Sequence, residues 1–197
     1  NGIRRLVGDQ VEVITAPWVS DASGYEPVGK QYWKNGLKAE YFLNMNLEGT
    51  PNSRMEEELY YDPANQPPQP VWPSSAPMSI RWTGDLVPPI SGNYTLSFKT
   101  DDGVRVWIDG EQVIDAWTTH PATVESIDMT LEAGRAYNVK VEYFDGGGDR
   151  YARMFWMGPE VTVEQRIKMF GDAGKAAKDA DVVIAVMGID RSVEHEG

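Results

Sequence analysis

The chain has 197 residues, no cysteine and a net charge of −12, with 41% apolar and 24% charged residues. This is the composition of a folded globular protein, large enough for one domain and part of another. A disulfide framework and a thiolate zinc site are excluded, and the acidic balance disfavours a nucleic-acid partner. The sequence also predicts no membrane span, because its apolar runs are too short.

Residues 1–35 are typical of the edge of an α/β domain. A short helical end over Gly2–Val7 precedes Val11–Thr15, a largely apolar, β-branched segment. Such a segment favours a strand that is buried on both faces. A loop rich in Gly, Ser and Pro follows it. A single strand forms no complete sheet, so we expect this stretch to belong to a larger α/β domain.

Residues 36–159 predict a β-sandwich. Apolar and polar residues alternate there with period two, which places each apolar set on one face of a strand. Turn signals containing Gly lie between these segments, and the Pro-rich stretch 63–73 indicates a surface loop. The predicted strands are Leu37–Phe42, Tyr94–Phe98, Val104–Ile108, Ile127–Leu131 and Tyr137–Tyr143.

Residues 160–197 return to an α/β pattern. Thr162 and Gln165 have the spacing of a capping box, and an amphipathic helix is predicted after them. The apolar run Val182–Met187 is typical of a buried parallel strand, with a loop at its carboxyl end. The predicted fold class is therefore mostly β: a β-sandwich, 36–159, inserted into part of an α/β domain formed by 1–35 and 160–197.

Five segments of the predicted sandwich resemble the lectin-like domain first named for anthrax protective antigen, the PA-fourteen domain. They are Gly36–Phe42, Arg81–Gly84, Ser91–Phe98, Asp101–Gly110 and Leu131–Tyr143. In sugar-binding members of that family, a paired Asp motif holds Ca²⁺. The resemblance therefore implies a Ca²⁺ site at Asp101 and Asp102, and no other cofactor is expected. The alternative is that Asp101-Asp102-Gly103 is only a turn, in which Asp accepts local backbone hydrogen bonds.

The flanks resemble the C-terminal α/β-sandwich domain of glycoside hydrolase family 3. The matching strings are Asn1–Arg5, Val11–Ile14 and Ala176–Gly197. This resemblance implies that the parent protein is a retaining, exo-acting β-glycosidase, similar to a β-glucosidase, that acts on short oligosaccharides or glycosides. We expect such an enzyme to be periplasmic or secreted. Its nucleophile would be an Asp on a barrel domain that this chain lacks, so the chain alone is predicted to be inactive.

The same resemblance implies that a Glu in the loop after Val182–Met187 is the acid/base. Glu196, directly before Gly197, fits best, and Glu194 is the second choice. Ligands of open α/β sheets bind at the carboxyl ends of strands, and glycoside hydrolysis needs two carboxylates. A solvated acidic segment without catalytic function is the alternative.

Four aromatic residues of the predicted sandwich are expected to point outward: Trp107, Phe144, Tyr151 and Phe155. Exposed rings stack on sugars, so these residues are candidates for carbohydrate binding. A register shift of one residue would instead place several of them in the core. The insert is thus expected to shape the catalytic pocket or to bind carbohydrate. A Ca²⁺-dependent, adhesin-like module without catalysis and a purely architectural insert are the alternatives.

Overall fold

The computed structural model describes residues 25–63 and 77–159. These residues fall within one compact unit. They form strands and one short 3₁₀ helix, Lys30–Tyr32. The strands are β1 (Glu26–Pro27), β2 (Leu37–Phe42), β3 (Asn52–Glu56), β4 (Tyr60–Tyr61), β5 (Met78–Leu86), β6 (Gly92–Asp101), β7 (Val104–Ile108), β8 (Glu111–Ala116), β9 (Thr123–Leu131), β10 (Tyr137–Asp145) and β11 (Tyr151–Met157).

The strands are arranged in two sheets. The larger sheet has the order β3-β2-β5-β10-β7-β8, and the smaller sheet has the order β1-β11-β6-β9, with β4 also paired to β11. The pairings between these strands are antiparallel. The last two strands of the described residues, β10 and β11, lie inside their sheets rather than at the edges. Each sheet is therefore completed only when distant parts of the chain meet.

The core lies between the inner faces of the two sheets. It has a large aromatic component, in which Trp82 and Tyr143 are fully buried. The rings of Trp82 and Tyr143 lie 6.3 Å apart, and Tyr94 packs against Trp156 at 5.1 Å. Each of these pairs joins neighbouring strands of one sheet. The ring of Tyr61, in the smaller sheet, lies 6.2 Å from that of Tyr143, in the larger sheet, so aromatic side chains also connect the two sheets. Much of the aromatic content therefore stabilises the fold.

The predicted β-sandwich is confirmed. The predicted strands Leu37–Phe42 and Val104–Ile108 coincide with β2 and β7, and the other three lie within β6, β9 and β10. The alternating apolar residues point into the core as expected, with Leu37 and Ala39 fully buried. The α/β segments predicted over 1–35 and 160–197 lie largely outside the described residues, as does most of the Pro-rich loop.

Candidate functional site

One end of the sandwich gathers several loops around the Asp101–Asp102 pair. Asp101 ends β6, and Asp102 begins the turn into β7 across a cis peptide bond. The backbone N–H of His120, in the loop after β8, donates to Oδ1 of Asp102 at 3.0 Å. The backbone N–H of Gly146, in the loop after β10, donates to Oδ2 at 2.8 Å. One carboxylate thus joins three loops.

Asp102 is therefore a structural centre of this end. Its side chain is almost fully buried, at 2% exposure, and each carboxylate oxygen accepts a backbone N–H. The following turn packs equally closely, because a Cβ on Gly103 would lie 2.4 Å from the ring of Phe144 and 2.9 Å from the carbonyl oxygen of Ala116. Only glycine fits at that position without displacing backbone.

Asp101 differs from its neighbour because its side chain is partly exposed. Its backbone carbonyl accepts a hydrogen bond from the Tyr143 hydroxyl at 2.6 Å, which fixes the chain at the end of β6. Burial raises the pKa of the Asp101 carboxyl above its usual value, and the negative charges of Asp102 and Asp149 raise it further. Asp101 is thus the member of the pair that faces solvent, in a locally negative environment.

A buried ion pair clamps the glycine-rich loop beside this pair. Asp145 is completely buried and lies 2.5 Å from Nε of Arg150, on the other side of the loop. Oδ1 of Asp145 also accepts the N–H of Gly147 at 2.9 Å. Gly147 and Gly148 have φ values of +126° and +112°, which favour glycine. The three glycines are therefore part of a closed, anchored turn.

The carboxylates of Asp101 and Asp102 are the predicted ligands of Ca²⁺, an ion that binds six to eight oxygen atoms in proteins. Both oxygens of Asp102 are already engaged by backbone N–H groups. Within 25–63 and 77–159, no group of three His, Cys, Asp or Glu side chains has an arrangement suited to a metal ion. These hydrogen bonds come from residues 18 and 44 positions away in the sequence, so they are not the local bonds of the turn alternative. The Ca²⁺ site stays a prediction.

A family model described as the PA14 domain matches residues 33–168. This is more than half of the chain. The chain belongs to the PA14 domain family. The lectin-like resemblance of the sandwich is thereby confirmed, and the Asp101-Asp102-Gly103 segment lies within the PA14 match. The PA14 match concerns the sandwich, and the family 3 origin of residues 1–35 and 160–197 stays a prediction.

Curated PA14-containing relatives include two different classes of protein. Anti-sigma-I factor RsgI3 of Acetivibrio thermocellus is 36% identical over 123 residues, which cover 62% of this chain and 19% of that protein. Probable beta-glucosidase H of Aspergillus clavatus is 28% identical over 138 residues, covering 58% of this chain and 16% of that protein. The chain thus spans less than a fifth of the length of either relative.

The PA14 sandwich is also similar to a solved structure. The anti-sigma factor domain-containing protein from Clostridium clariflavum has 30% sequence identity and a TM-score of 0.57. The match covers 64% of this chain and 43% of that one. Among the residues that the structure describes, no helix is long and apolar enough to cross a membrane.

The four aromatic candidates do not form one cluster in the PA14 sandwich. Trp107 is half-buried on the outer face of the larger sheet, where Nζ of Lys140 lies 3.6 Å from its ring centroid. Tyr151 and Phe155 are half-buried on the outer face of the smaller sheet. Phe144 occupies an outer position, but the prediction that it is exposed is wrong. Trp117 covers it at 4.7 Å, which leaves 3% of it exposed.

Three residues that order the loop-bearing end, which is the end of the sandwich around Asp101 and Asp102, were not predicted from the sequence. His120 acts through its backbone N–H, Arg150 pairs with Asp145, and Asn44 orders the loop after β2. Oδ1 of Asn44 accepts the N–H groups of Asn46 and Glu48, at 2.9 and 3.1 Å. For the Asp145–Arg150 ion pair, the only sequence signal is a weak one, a glycine-rich run followed by Arg. The candidate acid/base residues Glu194 and Glu196 lie outside the described residues.

Proposed function

We propose that this chain is part of a retaining, exo-acting β-glycosidase of the family 3 type, with the PA14 sandwich beside its catalytic pocket. The similarity to a fungal β-glucosidase supports this assignment, because it extends over 138 residues. In this proposal the substrate is a short oligosaccharide or glycoside. The nucleophile comes from a barrel domain elsewhere in the parent, so this chain alone does not hydrolyse glycosides.

The loop-bearing end is the part of the sandwich that we propose contacts the sugar. The observation that carries this is the burial of Asp102 as a tie between three loops, with Asp101 left partly exposed beside it. Sugar hydroxyls require hydrogen-bond acceptors that are held in place. The buried carboxylate of Asp102 holds the loops in place, and the carboxylates of Asp101 and Asp149 provide the acceptors.

Glu196 is proposed as the acid/base of the parent enzyme, with Glu194 as the second choice. A retaining glycosidase uses one carboxyl group as general acid and then as general base. We would measure p-nitrophenyl glycoside hydrolysis by the full-length parent with Glu196→Gln or Glu194→Gln. We expect kcat to fall at least about a hundredfold in the Glu196 variant only, since acid–base catalysis contributes roughly that much. External azide should restore turnover.

The control in this experiment is the neighbouring carboxylate. Equal, full activity of both variants would contradict a catalytic role for this loop and the resemblance to family 3 from which that role was inferred. Loss of activity only in the Glu194 variant would retain the glycosidase and transfer the acid/base role to Glu194.

A second candidate function is a carbohydrate-binding module without catalysis, which in the predicted form requires Ca²⁺. The observation that favours it is the 36% identity to a protein named as an anti-sigma factor rather than as a hydrolase. We would titrate this chain with cellobiose by calorimetry, with Ca²⁺ or with a chelator, and compare Asp101→Asn with Asp149→Asn.

Each hypothesis gives a different result in this titration. Binding that is lost on chelation and in Asp101→Asn supports a Ca²⁺-dependent module. Binding that resists chelation supports direct contact between the loop end and the sugar. No binding in any condition contradicts sugar contact and favours an insert that only shapes the domain.

A further inference from the structure

The outer face of the smaller sheet combines cationic and aromatic side chains. Side chains of β11 alternate, so that Ala152, Met154 and Trp156 enter the core while the residues between them point outward. Strand pairing brings outward residues of β4 and β6 to the same face. We define the cationic face as Tyr60, Lys99, Tyr151, Arg153 and Phe155.

Two positive charges lie side by side in this face. Lys99 of β6 and Arg153 of β11 are directly opposite each other in the strand register. Like charges at such positions lie about 5 Å apart at their Cβ atoms and disfavour pairing of the strands. Their placement therefore costs stability unless something compensates for it.

Aromatic rings hold both cations at the sheet surface. Nζ of Lys99 lies 5.4 Å from the ring centroid of Tyr151. The guanidinium carbon of Arg153 lies 4.6 Å from the ring of Tyr60 and 5.5 Å from that of Phe155. Cation–π contacts orient a positive charge without neutralising it.

Carboxylates compensate this charge only weakly within the described residues. Arg153 meets Glu58 at 4.0 Å, the longest of the ion pairs in this part of the chain, and both side chains are substantially exposed. Asp101 lies at the end of the face, opposite Tyr151. The chain has a net charge of −12, and this pair of adjacent, ring-supported cations is a local concentration of positive charge.

We propose that the cationic face binds an extended, carboxylate-bearing polysaccharide, a uronate polymer. A regular sheet surface suits a long, flat chain, and half-buried aromatic rings offer apolar contact to the C–H groups of sugars. A uronate carboxylate between Lys99 and Arg153 would add to the weak compensation that Glu58 provides. This surface adjoins the loop-bearing end at Tyr151 and Asp101, and the inference does not depend on the glycosidase proposal.

The test uses this 197-residue chain and polygalacturonate, with fully methyl-esterified polygalacturonate as the neutral probe. We expect retardation in affinity electrophoresis by the charged polymer only, weakening as salt is raised. The Lys99→Gln/Arg153→Gln double variant should bind roughly tenfold more weakly, since each surface ion pair contributes up to about fivefold. Lys99→Gln alone, at an exposed position, should show part of this loss.

A double variant with the same change of charge provides the control. Lys38→Gln/Arg135→Gln removes two exposed cations from the other sheet and its adjoining loop, and should bind like the wild type. Equal weakening by both double variants would mean a general charge effect and would overturn the proposal. Binding of the methyl-esterified polymer as strong as that of the charged polymer, or binding of neither, would also overturn it.

Discussion

Single buried side chains at the loop-bearing end determine the geometry of whole loops. Asp102 accepts two backbone N–H groups from different loops, while Asp101 beside it lies partly in solvent. Adjacent, chemically identical residues therefore have different environments: one is buried and ties loops together, and the other is partly exposed to solvent. The difference comes from burial, because a carboxylate removed from water must satisfy its oxygens within the protein.

At this scale we predict different effects of alanine at the two Asp positions. Asp102→Ala leaves the N–H groups of His120 and Gly146 without an acceptor, and should lower the free energy of unfolding by roughly 2–3 kcal/mol. Asp101→Ala should cost less than about 1 kcal/mol, since its side chain is partly hydrated. Urea unfolding curves of the two variants check this. Equal midpoints would contradict the structural role of Asp102.

At the scale of the elements, the larger sheet is reinforced by charge as well as by its core. The carboxylate of Glu142, on β10, contacts Nε of Arg81 on β5 at 2.9 Å and Nη2 of Arg105 on β7 at 2.8 Å. Glu142 is 5% exposed, whereas each Arg side chain is 30% exposed. A single acid thereby links three adjacent strands on their outer face.

We predict that Glu142→Gln destabilises the sheet more than Glu40→Gln. Removing the negative charge leaves two adjacent Arg side chains, but these are exposed enough to be hydrated. The expected loss is therefore about 1–2 kcal/mol, below the usual cost of breaking a fully buried pair. Glu40 contacts Arg81 at 3.7 Å and the exposed Lys38 at 2.5 Å, and its side chain is more exposed than that of Glu142, so its variant should lose less. Thermal unfolding at low and high salt measures both, and a larger effect at Glu40 would contradict the ranking.

At the scale of the whole molecule, the PA14 sandwich contains its own core. Both sheets are built from strands between residues 26 and 157, and the buried apolar residues belong to the same unit. β11, the last of these strands, lies between β6 and the β1 and β4 segments. Domains with their own core fold independently, so residues 25–159 should form a complete domain.

We predict that a fragment of residues 25–159 unfolds cooperatively, in a single thermal transition with native near-ultraviolet circular dichroism. A matched fragment of residues 25–150 lacks β11, which leaves one hydrogen-bonding edge of β6 unpaired and removes the partner strand of β1 and β4. It should show no cooperative transition. Cooperative unfolding of both fragments would contradict the role of β11, and failure of the longer fragment would show that the flanking residues are required.

The sequence by itself determined the fold class of the sandwich. Alternating apolar residues directly identified strands such as β2 and β7, because one face of each strand is buried and the other is not. β3, in contrast, was not predicted, since Asn52–Glu56 is an edge strand with polar residues on both faces. The PA-fourteen resemblance, carried by the Asp-Asp-Gly segment and its neighbours, was confirmed over residues 33–168.

The tertiary structure decided which residues of the candidate site are available. Nothing in the spacing of Asp101 and Asp102 shows that one is buried against two loops and the other is not. Trp117 covers Phe144, and Lys99 lies opposite Arg153 in the strand register. Both arrangements likewise depend on contacts between residues distant in sequence. Local patterns determine which face of a strand a residue occupies. Only the packing of loops and sheets decides whether that face meets solvent, another ring or a like charge.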